Sequence, residues 1–172
     1  MAAKAGDRGR TSLYCGTEVD KDDIRMEVCG ALDEVSSFLG MAKSCCADSM
    51  TKSSADLVQK SIIVLNAEIA STPAAVGRLK KKICAGSVAG IEAQIKRVES
   101  RCGARPRSFC LQGANIVSST LDVARAITRR AERLCVTMTK SKMLANRDIL
   151  TYLNRLSELL YLLARLNEKP HP

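Results

Sequence analysis

The chain has 172 residues, about the size of one domain, and 46% of them are hydrophobic and 26% charged, as is usual for a globular protein with one sizeable core. Aromatic residues make up only 3% and tryptophan is absent, so we expect an aliphatic core of packed helices rather than a β-sandwich. The net charge of +9 attracts polyanions but does not choose among nucleic acid, nucleotide and an acidic surface.

The first half of the chain predicts a loop followed by two helices. Residues 1–20 are rich in Gly, Thr, Ser and charge and lack a helical period, so we expect a loop there. Hydrophobic residues spaced by three and four predict a first helix over about 25–46. A polar break is expected over 47–54, and a second amphipathic helix follows from about Leu57 until it ends near Pro73.

The second half predicts three more helices. Residues 73–82 are predicted to form an exposed basic connection, and hydrophobic residues from Val88 to Val98 indicate a third helix that ends before Cys102. After a loop over 105–114, two longer helices are expected over about 115–139 and 147–167. Short connections between long helices favour an antiparallel bundle, and no apolar run is long enough to span a membrane. We therefore predict one all-α domain over 1–172, with a five-helix bundle of up-down, ferritin-like packing over 25–167 and a tail over 168–172.

The fourth predicted helix carries an unusual density of arginine. One side of its helical wheel is apolar and consists of Leu121, Ala124, Ile127, Ala131, Leu134, Cys135 and Met138. The opposite side carries the charged residues Asp122, Arg125, Arg129, Glu132 and Arg133. Arginine stays charged and binds phosphate or carboxylate with two parallel hydrogen bonds. The stripe therefore suits an anion site, although a solvated face with ion pairs is an equal alternative.

The N-terminal loop offers a second anion-binding pattern. Gly6 and Gly9 allow the backbone to approach a ligand closely, and successive N–H groups there could form an anion nest. Lys4 and the Thr11 hydroxyl add donors, while Asp7 could bind Mg²⁺ or a ribose hydroxyl. The pattern matches neither a Walker A loop nor a dinucleotide fingerprint, and a flexible basic N-terminus is the alternative.

Histidine and cysteine content restricts the chemistry. His171, next to last, is the only histidine, which excludes a multi-histidine metal site and argues against a catalytic triad. Eight cysteines occur without a Cys-x-x-Cys pair or an apparent signal peptide. We expect free thiols in a reducing compartment, with Cys29, Cys110 and Cys135 acting as small hydrophobes.

Seven short blocks, in order along the chain, resemble the PduO-type corrinoid adenosyltransferases. They are 6–14 (GDRGRTSLY), 21–23 (KDD), 30–34 (GALDE), 37–40 (SFLG), 107–111 (RSFCL), 123–133 (VARAITRRAER) and 152–160 (YLNRLSELL). The resemblance implies a five-helix bundle that assembles as a homotrimer with active sites between subunits. It also implies transfer of the 5′-deoxyadenosyl group of ATP, with Mg²⁺, to the cobalt of a reduced cobalamin bound base-off, releasing triphosphate. A reductase and an adenosylcobalamin-dependent enzyme are the implied partners, and nucleic acid and membrane are not.

The same resemblance implies roles for individual residues. The positions matching the family's ATP-binding residues are Lys4, Gly6, Asp7, Gly9, Thr11, Lys21, Arg129, Glu132 and Asn154. Among these, Arg129 and Asn154 match positions at the triphosphate and adenosine. Asp33 and Arg125 match an ion pair across subunits that is important for activity. Phe109 matches an aromatic wedge that displaces the corrinoid's lower ligand. Arg129, Phe109, Asp33 and Arg125 are thus the expected catalytic residues, the last three also at the corrinoid, and no metal ligand is firmly assigned.

The chain departs from the family pattern at three places. Two threonines of the usual loop are Ala3 and Ala5, a Pro-Gly-Gly is replaced by residues 112–114 (QGA), and a common histidine is Asp122. An active enzyme is expected in the cytoplasm, or in the mitochondrial matrix if a transit peptide has been removed. Two alternatives to an active enzyme stay open. The first is a catalytically weak corrinoid- or nucleotide-binding protein with the same fold. The second is a basic bundle for nucleic acid, which the scarcity of aromatics disfavours.

Overall fold

The computed structural model describes residues 5–102 and 110–168, and helices make up most of them. The helices are α1 (Ile24–Cys45), α2 (Ser49–Ile69), α3 (Pro73–Val76), α4 (Ala85–Cys102), α5 (Ile116–Lys140) and α6 (Asp148–Leu166). A 3-10 turn at Ala5–Arg8 precedes a two-stranded antiparallel hairpin of β1 (Arg10–Ser12) and β2 (Glu18–Asp20). Five of the helices are long, which confirms the predicted all-α bundle.

The long helices pack around one aliphatic core in the order α2–α1–α5–α6–α4. Its fully buried side chains are mostly leucine and isoleucine, with Tyr152 as the largest. The connections α1–α2 and α5–α6 are short, which places those neighbours antiparallel. α2 and α4 stand at the two ends of this order, so the seam between them is the part of the bundle that the long helices close least.

Polar caps decide where several helices begin. Asp23 Oδ1 accepts a hydrogen bond from Arg25 N at 2.9 Å at the start of α1, and Asn115 forms a reciprocal capping box with Ser118 at the start of α5. Each cap satisfies N–H groups that have no partner within the helix. These starts agree with the predicted boundaries to within one residue.

The predicted polar break over 47–54 is wrong, because α2 begins at Ser49. Asp48 Oδ2 accepts from Thr51 N at 2.7 Å, and Asp48 Oδ1 lies 2.5 Å from Arg101 Nη1 of α4. Thr51 is itself buried and accepts a hydrogen bond from Asn167 Nδ2 at 2.9 Å. Asp48 and Thr51 are thus partnered within the fold, so their polarity does not mark a loop.

Two further elements were not predicted. The hairpin has strands of only three residues, too short for an alternating pattern, and pairs Thr11 with Val19. It is held to the bundle by the buried Leu13 and by Tyr14 N, which donates to Ala70 O at 2.8 Å. In the basic connection over 73–82, Pro73 begins the single turn of α3.

The predicted face of α5 is confirmed with one correction. Leu121, Ala124, Ala131, Cys135 and Met138 are buried, and Arg129 and Arg133 are exposed. Asp122, predicted to lie on the charged side, is buried instead. Its Oδ2 pairs with the Arg165 guanidinium of α6, and the two side chains are only 5% and 6% exposed. A helical wheel cannot anticipate that a neighbouring helix supplies a buried cation.

None of the eight cysteines, all of which lie within the described residues, forms a disulfide. Burial raises the pKa of Cys29 and of Cys135 to about 12, so both stay protonated as small apolar groups. Cys110 is half-buried. Among the residues placed in the structure, none of the helices has the length and apolar character needed to cross a bilayer.

Candidate functional site

The hairpin brings the candidate loop residues together. Lys21 follows β2 and returns to the start of the loop, where its Nζ donates to Gly6 O at 2.7 Å and its backbone N donates to Gly9 O at 2.8 Å. Gly9 has a φ of +72°, which favours glycine there. Thr11 lies on β1 in the same hairpin. Four of the predicted ATP-loop residues therefore form one compact group, although the blocks 6–14 and 21–23 are separate in sequence.

Other groups of the hairpin are engaged locally. Arg10 Nη1 lies 3.1 Å from Asp20 Oδ1 across the two strands. Asp23 receives two side-chain hydrogen bonds from Arg25, at 2.8 and 2.6 Å, and these hold the pKa of the Asp23 carboxyl below its usual range. Asp7 is exposed on the 3-10 turn. Lys4 and Ala3 lie outside the described residues.

On α5, the arginines of the stripe differ in their partners. Arg130 Nη2 forms a two-point ion pair with Glu34 of α1, at 2.8 and 2.7 Å. Arg129, its neighbour in sequence, is exposed and has no carboxylate within ion-pair distance in the described ranges 5–102 and 110–168. Arg129 is therefore a cation available to an anionic ligand.

A polar network joins the middle of α5 to α6 and α4. Asn154 Nδ2 of α6 donates to Glu132 Oε1 of α5 at 3.2 Å, and Asn154 Oδ1 accepts from Arg155 Nη1 at 2.9 Å. Arg155 Nε in turn donates to Glu92 Oε1 of α4 at 3.0 Å. Because both ends of the Asn154 amide are engaged, its orientation is determined, while one N–H and one oxygen lone pair stay open to a ligand.

Asp33 and Arg125 do not pair with each other within the described chain. Asp33 Oδ1 accepts from Asn66 Nδ2 of α2 at 2.8 Å. Arg125 Nε lies 3.3 Å from Asp122 Oδ1, one helical turn earlier. Asp33 is exposed and Arg125 half-buried, so each still presents surface to a neighbouring molecule.

A shallow depression of about 430 Å³ lies beside Arg125. It is lined by Gln112, Gly113, Ser119, Asp122, Val123, Arg125 and Ala126. Its wall thus combines the residues that replace the family's Pro-Gly-Gly with the first arginine of the stripe. Phe109, the expected wedge, precedes this segment in sequence and lies outside the described residues.

Several residues that hold the predicted ones in place carry no signal of that role in the sequence. Arg155 stands next to Asn154 within the segment 152–160, yet nothing in the pattern indicates its partner. Glu92 of α4 and Arg165 of α6 carried no signal, because they lie 63 and 43 residues away in the chain from the residues they bind. Among the described residues there is no group of three or more side chains that could hold a metal ion.

Three comparisons bear on this site. A family model described as cobalamin adenosyltransferase matches residues 1–167. The chain is 36% identical to a corrinoid adenosyltransferase of Citrobacter freundii, in a match covering 96% of this chain and 93% of that protein. It is 32% identical to the corrinoid adenosyltransferase PduO of Salmonella typhimurium, covering 96% of this chain but 48%, about half, of the longer relative.

Solved structures agree with the sequence matches. A variant of the PduO-type ATP:corrinoid adenosyltransferase from Lactobacillus reuteri, complexed with cobalamin and ATP, superposes with a TM-score of 0.82 at 30% identity over 97% of this chain and 92% of that one. A second variant, complexed with ATP, gives a TM-score of 0.83 at 28% identity over 97% and 93%. The family model covers almost the whole chain, and the protein therefore belongs to the cobalamin adenosyltransferase family.

Proposed function

We propose that the protein transfers the 5′-deoxyadenosyl group of ATP to the cobalt of a reduced corrinoid and releases triphosphate. The observation that carries this proposal is the arrangement on α5 and α6. The exposed Arg129 lies one helical turn before Glu132, and Glu132 is hydrogen-bonded to Asn154 at 3.2 Å. A free cation beside a held amide suits a nucleotide, because one group meets phosphate and the other meets the nucleoside.

In this proposal the chain contributes positioning and electrostatics. Arg129 and Lys21 stabilise the negative charge that grows on the departing triphosphate, while the Gly6 and Gly9 backbone cradles the phosphates. Asn154, held by Glu132 and Arg155, orients the adenosine so that C5′ faces the corrinoid. The cobalt nucleophile comes with the corrinoid substrate, which agrees with a chain whose single histidine is its next-to-last residue.

Mg²⁺ is proposed to arrive with ATP rather than in a protein-made site. Asp7 supplies a carboxylate on the loop, and Mg²⁺ is held in many nucleotide sites by one or two carboxylates together with phosphate oxygens and water.

The active unit is proposed to be a homotrimer, with Asp33 of one subunit pairing with Arg125 of the next. The exposed Asp33 and the half-buried Arg125 lie on the adjacent helices α1 and α5 and do not pair within one chain. The depression beside Arg125 is the proposed corrinoid wall. The wedge role proposed for Phe109 rests on the resemblance of residues 107–111 to the family. Each site would then be completed only by two subunits.

The altered loop is expected to weaken ATP binding without abolishing it. Ala3 and Ala5 replace two threonine hydroxyls, each worth about 0.5–1.5 kcal/mol when it makes a hydrogen bond. The loop backbone and Lys21 do not depend on those side chains. A raised KM for ATP with ordinary turnover is the expected consequence.

A spectroscopic assay tests the proposal. The full chain is mixed with ATP, Mg²⁺ and chemically reduced cobalamin, and the spectrum of the cobalt–carbon product is followed. We expect product with the wild type and far less product with Lys21→Ala. Lys96→Ala makes the same change at an exposed position of α4 and should form product like the wild type. Tight cobalamin binding without product would contradict catalysis and support the alternative of a binding protein.

A further inference from the structure

A basic groove runs along α2 on the seam that the long helices leave least closed. Its main part has a volume of about 780 Å³ and lies between α2 and the segment 80–83, with Ser87 of α4 at its edge. A second part of about 490 Å³ continues it past Ile63 towards Tyr14 of the hairpin. The two parts share Val64, Lys80 and Lys81, so they form one continuous groove.

The cations of the groove are uncompensated. Arg78, Lys80, Lys81 and Lys82 have no carboxylate within ion-pair distance in the part of the chain that the structure describes, although other lysines and arginines there form ion pairs. The only acid lining the groove, Asp56, is already paired with Lys43 Nζ at 2.5 Å. The groove therefore presents a strip of positive charge.

The strip is held against the bundle. The buried Glu68 of α2 accepts from Ile83 N at 2.9 Å through Oε2 and from Asn146 Nδ2 at 2.8 Å through Oε1. Asn146 also donates to Ile83 O at 2.8 Å. Since Ile83 is buried at the end of the strip, the lysines before it are attached to a fixed point and lose less freedom on binding than those of a loose loop.

The lining of the groove is partly apolar: Ser53, Ser61 and Ser87 also line its main part, and we call its apolar residues the floor. Leu57, Val64, Leu79 and Ile83 line it, and Ile63 is 71% exposed beside them. An apolar floor with a basic rim matches a ligand that combines carboxylates with apolar side chains. Free phosphate would leave the apolar residues of the groove uncovered, and nucleic acid would need more stacking surface than the aromatic side chain of Tyr14 offers. A concave groove also fits a chain segment better than the flat surface of a bilayer.

We propose that this groove binds an acidic, amphipathic segment of a partner protein. It lies on α2 and the segment 78–83, whereas the proposed subunit contact uses Asp33 of α1 and Arg125 of α5. The inference goes beyond the proposed reaction and does not depend on it.

The test uses the full chain and a fluorescein-labelled peptide of sequence EELLEELLEELL, followed by fluorescence anisotropy. A peptide of equal charge, EEGGEEGGEEGG, measures the contribution of the apolar floor. We expect the leucine peptide to bind at least roughly tenfold more tightly than the glycine peptide, because only it fills the floor. Equal affinities, or no binding of the leucine peptide, would overturn the proposal.

Two charge-reversal variants test the location. K80E/K81E should weaken the leucine peptide at least roughly tenfold, since it replaces attraction by repulsion within the groove. K96E/R97E makes the same change of net charge on an exposed part of α4 and should alter affinity by less than about threefold. Equal losses in both variants would show a general charge effect and reject the site. If thermal melting shows K80E/K81E to be unfolded, K80Q/K81Q takes its place.

Three measurements distinguish other occupants. Twelve-residue oligothymidylate and vesicles of phosphatidylserine and phosphatidylcholine are titrated in parallel. Tighter binding of either one than of the leucine peptide, lost in K80E/K81E, would overturn the proposal in favour of nucleic acid or membrane. Sedimentation of wild type and K80E/K81E should give the same oligomeric state, and a change would show that a second copy of the chain covers the groove.

Discussion

Helix α5 carries two sets of charged side chains, one buried in the bundle and one exposed to solvent. At its N-terminal half, Asp122 is buried and paired with Arg165 of α6. Two turns later, Arg129 is exposed without an acidic partner in the described chain, and Arg130 pairs with Glu34 in solvent. A buried charge must be compensated inside the fold, whereas an exposed cation can stay open for a ligand. The same helix therefore supports the fold through Asp122 and offers a binding surface two turns later, at Arg129.

The largest effect is expected when Arg165, the buried cation, is removed. Arg165→Met keeps much of the side-chain volume but leaves the buried Asp122 with only the partly exposed Arg125, whose Nε lies 3.3 Å from Asp122 Oδ1. Because the closer and more buried of the two cations is lost, we expect the free energy of unfolding to fall by up to about 3–5 kcal/mol. Urea denaturation followed by circular dichroism measures this change. Adding Asp122→Asn should recover part of the loss, and a fall below about 1 kcal/mol would show that the pair does not support the fold.

The exposed arginine should behave in the opposite way. Arg129→Ala is expected to lower turnover at least about 100-fold, because it removes a cation from the developing charge of triphosphate. Its free energy of unfolding should change by less than about 0.5 kcal/mol, since the side chain leaves the core. The matched change Arg97→Ala, at an exposed position of α4, should alter neither the turnover nor the free energy of unfolding. Unfolding of Arg129→Ala would contradict its placement on the open face.

Disrupting the hydrogen-bond network through Asn154 is expected to have an intermediate effect. Arg155→Met removes the donor that fixes Asn154 Oδ1, so the amide can turn and the KM for ATP should rise by about tenfold. Glu92→Gln keeps a hydrogen-bond acceptor for Arg155 and should raise the KM for ATP by a smaller factor. Steady-state kinetics with ATP varied at saturating reduced cobalamin measures both. A lower stability with an unchanged KM would assign Arg155 to the fold alone.

The smallest effect is expected for the solvent-exposed pair of Arg130 and Glu34. Both side chains are about half exposed, at 49% and 50%, so screening by water leaves about 0.2–1 kcal/mol of stability. Glu34→Gln should lower the free energy of unfolding by no more than this, and 0.5 M salt should reduce the difference further. A loss comparable to that of Arg165→Met would contradict the contrast between the two sets of charges.

The existence of the five long helices could be predicted from sequence, because hydrophobic spacing is a local property and reports which side of each helix is buried. The bounds of α5 were right to within one residue for the same reason. The start of α2 was not, because the polar residues near Asp48 are partnered by Arg101 and Asn167, which are distant in the chain. Local periodicity carries no information about such partners.

The candidate site divides along the same line. The family, the aliphatic helical bundle and the residue types of the anion-binding loop and stripe could all be predicted from the amino-acid sequence. The burial of Asp122, the open Arg129 beside the paired Arg130, and the contact of Lys21 with Gly6 become visible only in the folded chain. Burial and pairing depend on which side chains from different helices lie close together in the folded chain. The free energy of a charged group is determined by the charges and the solvent around it, and not by its position in the sequence.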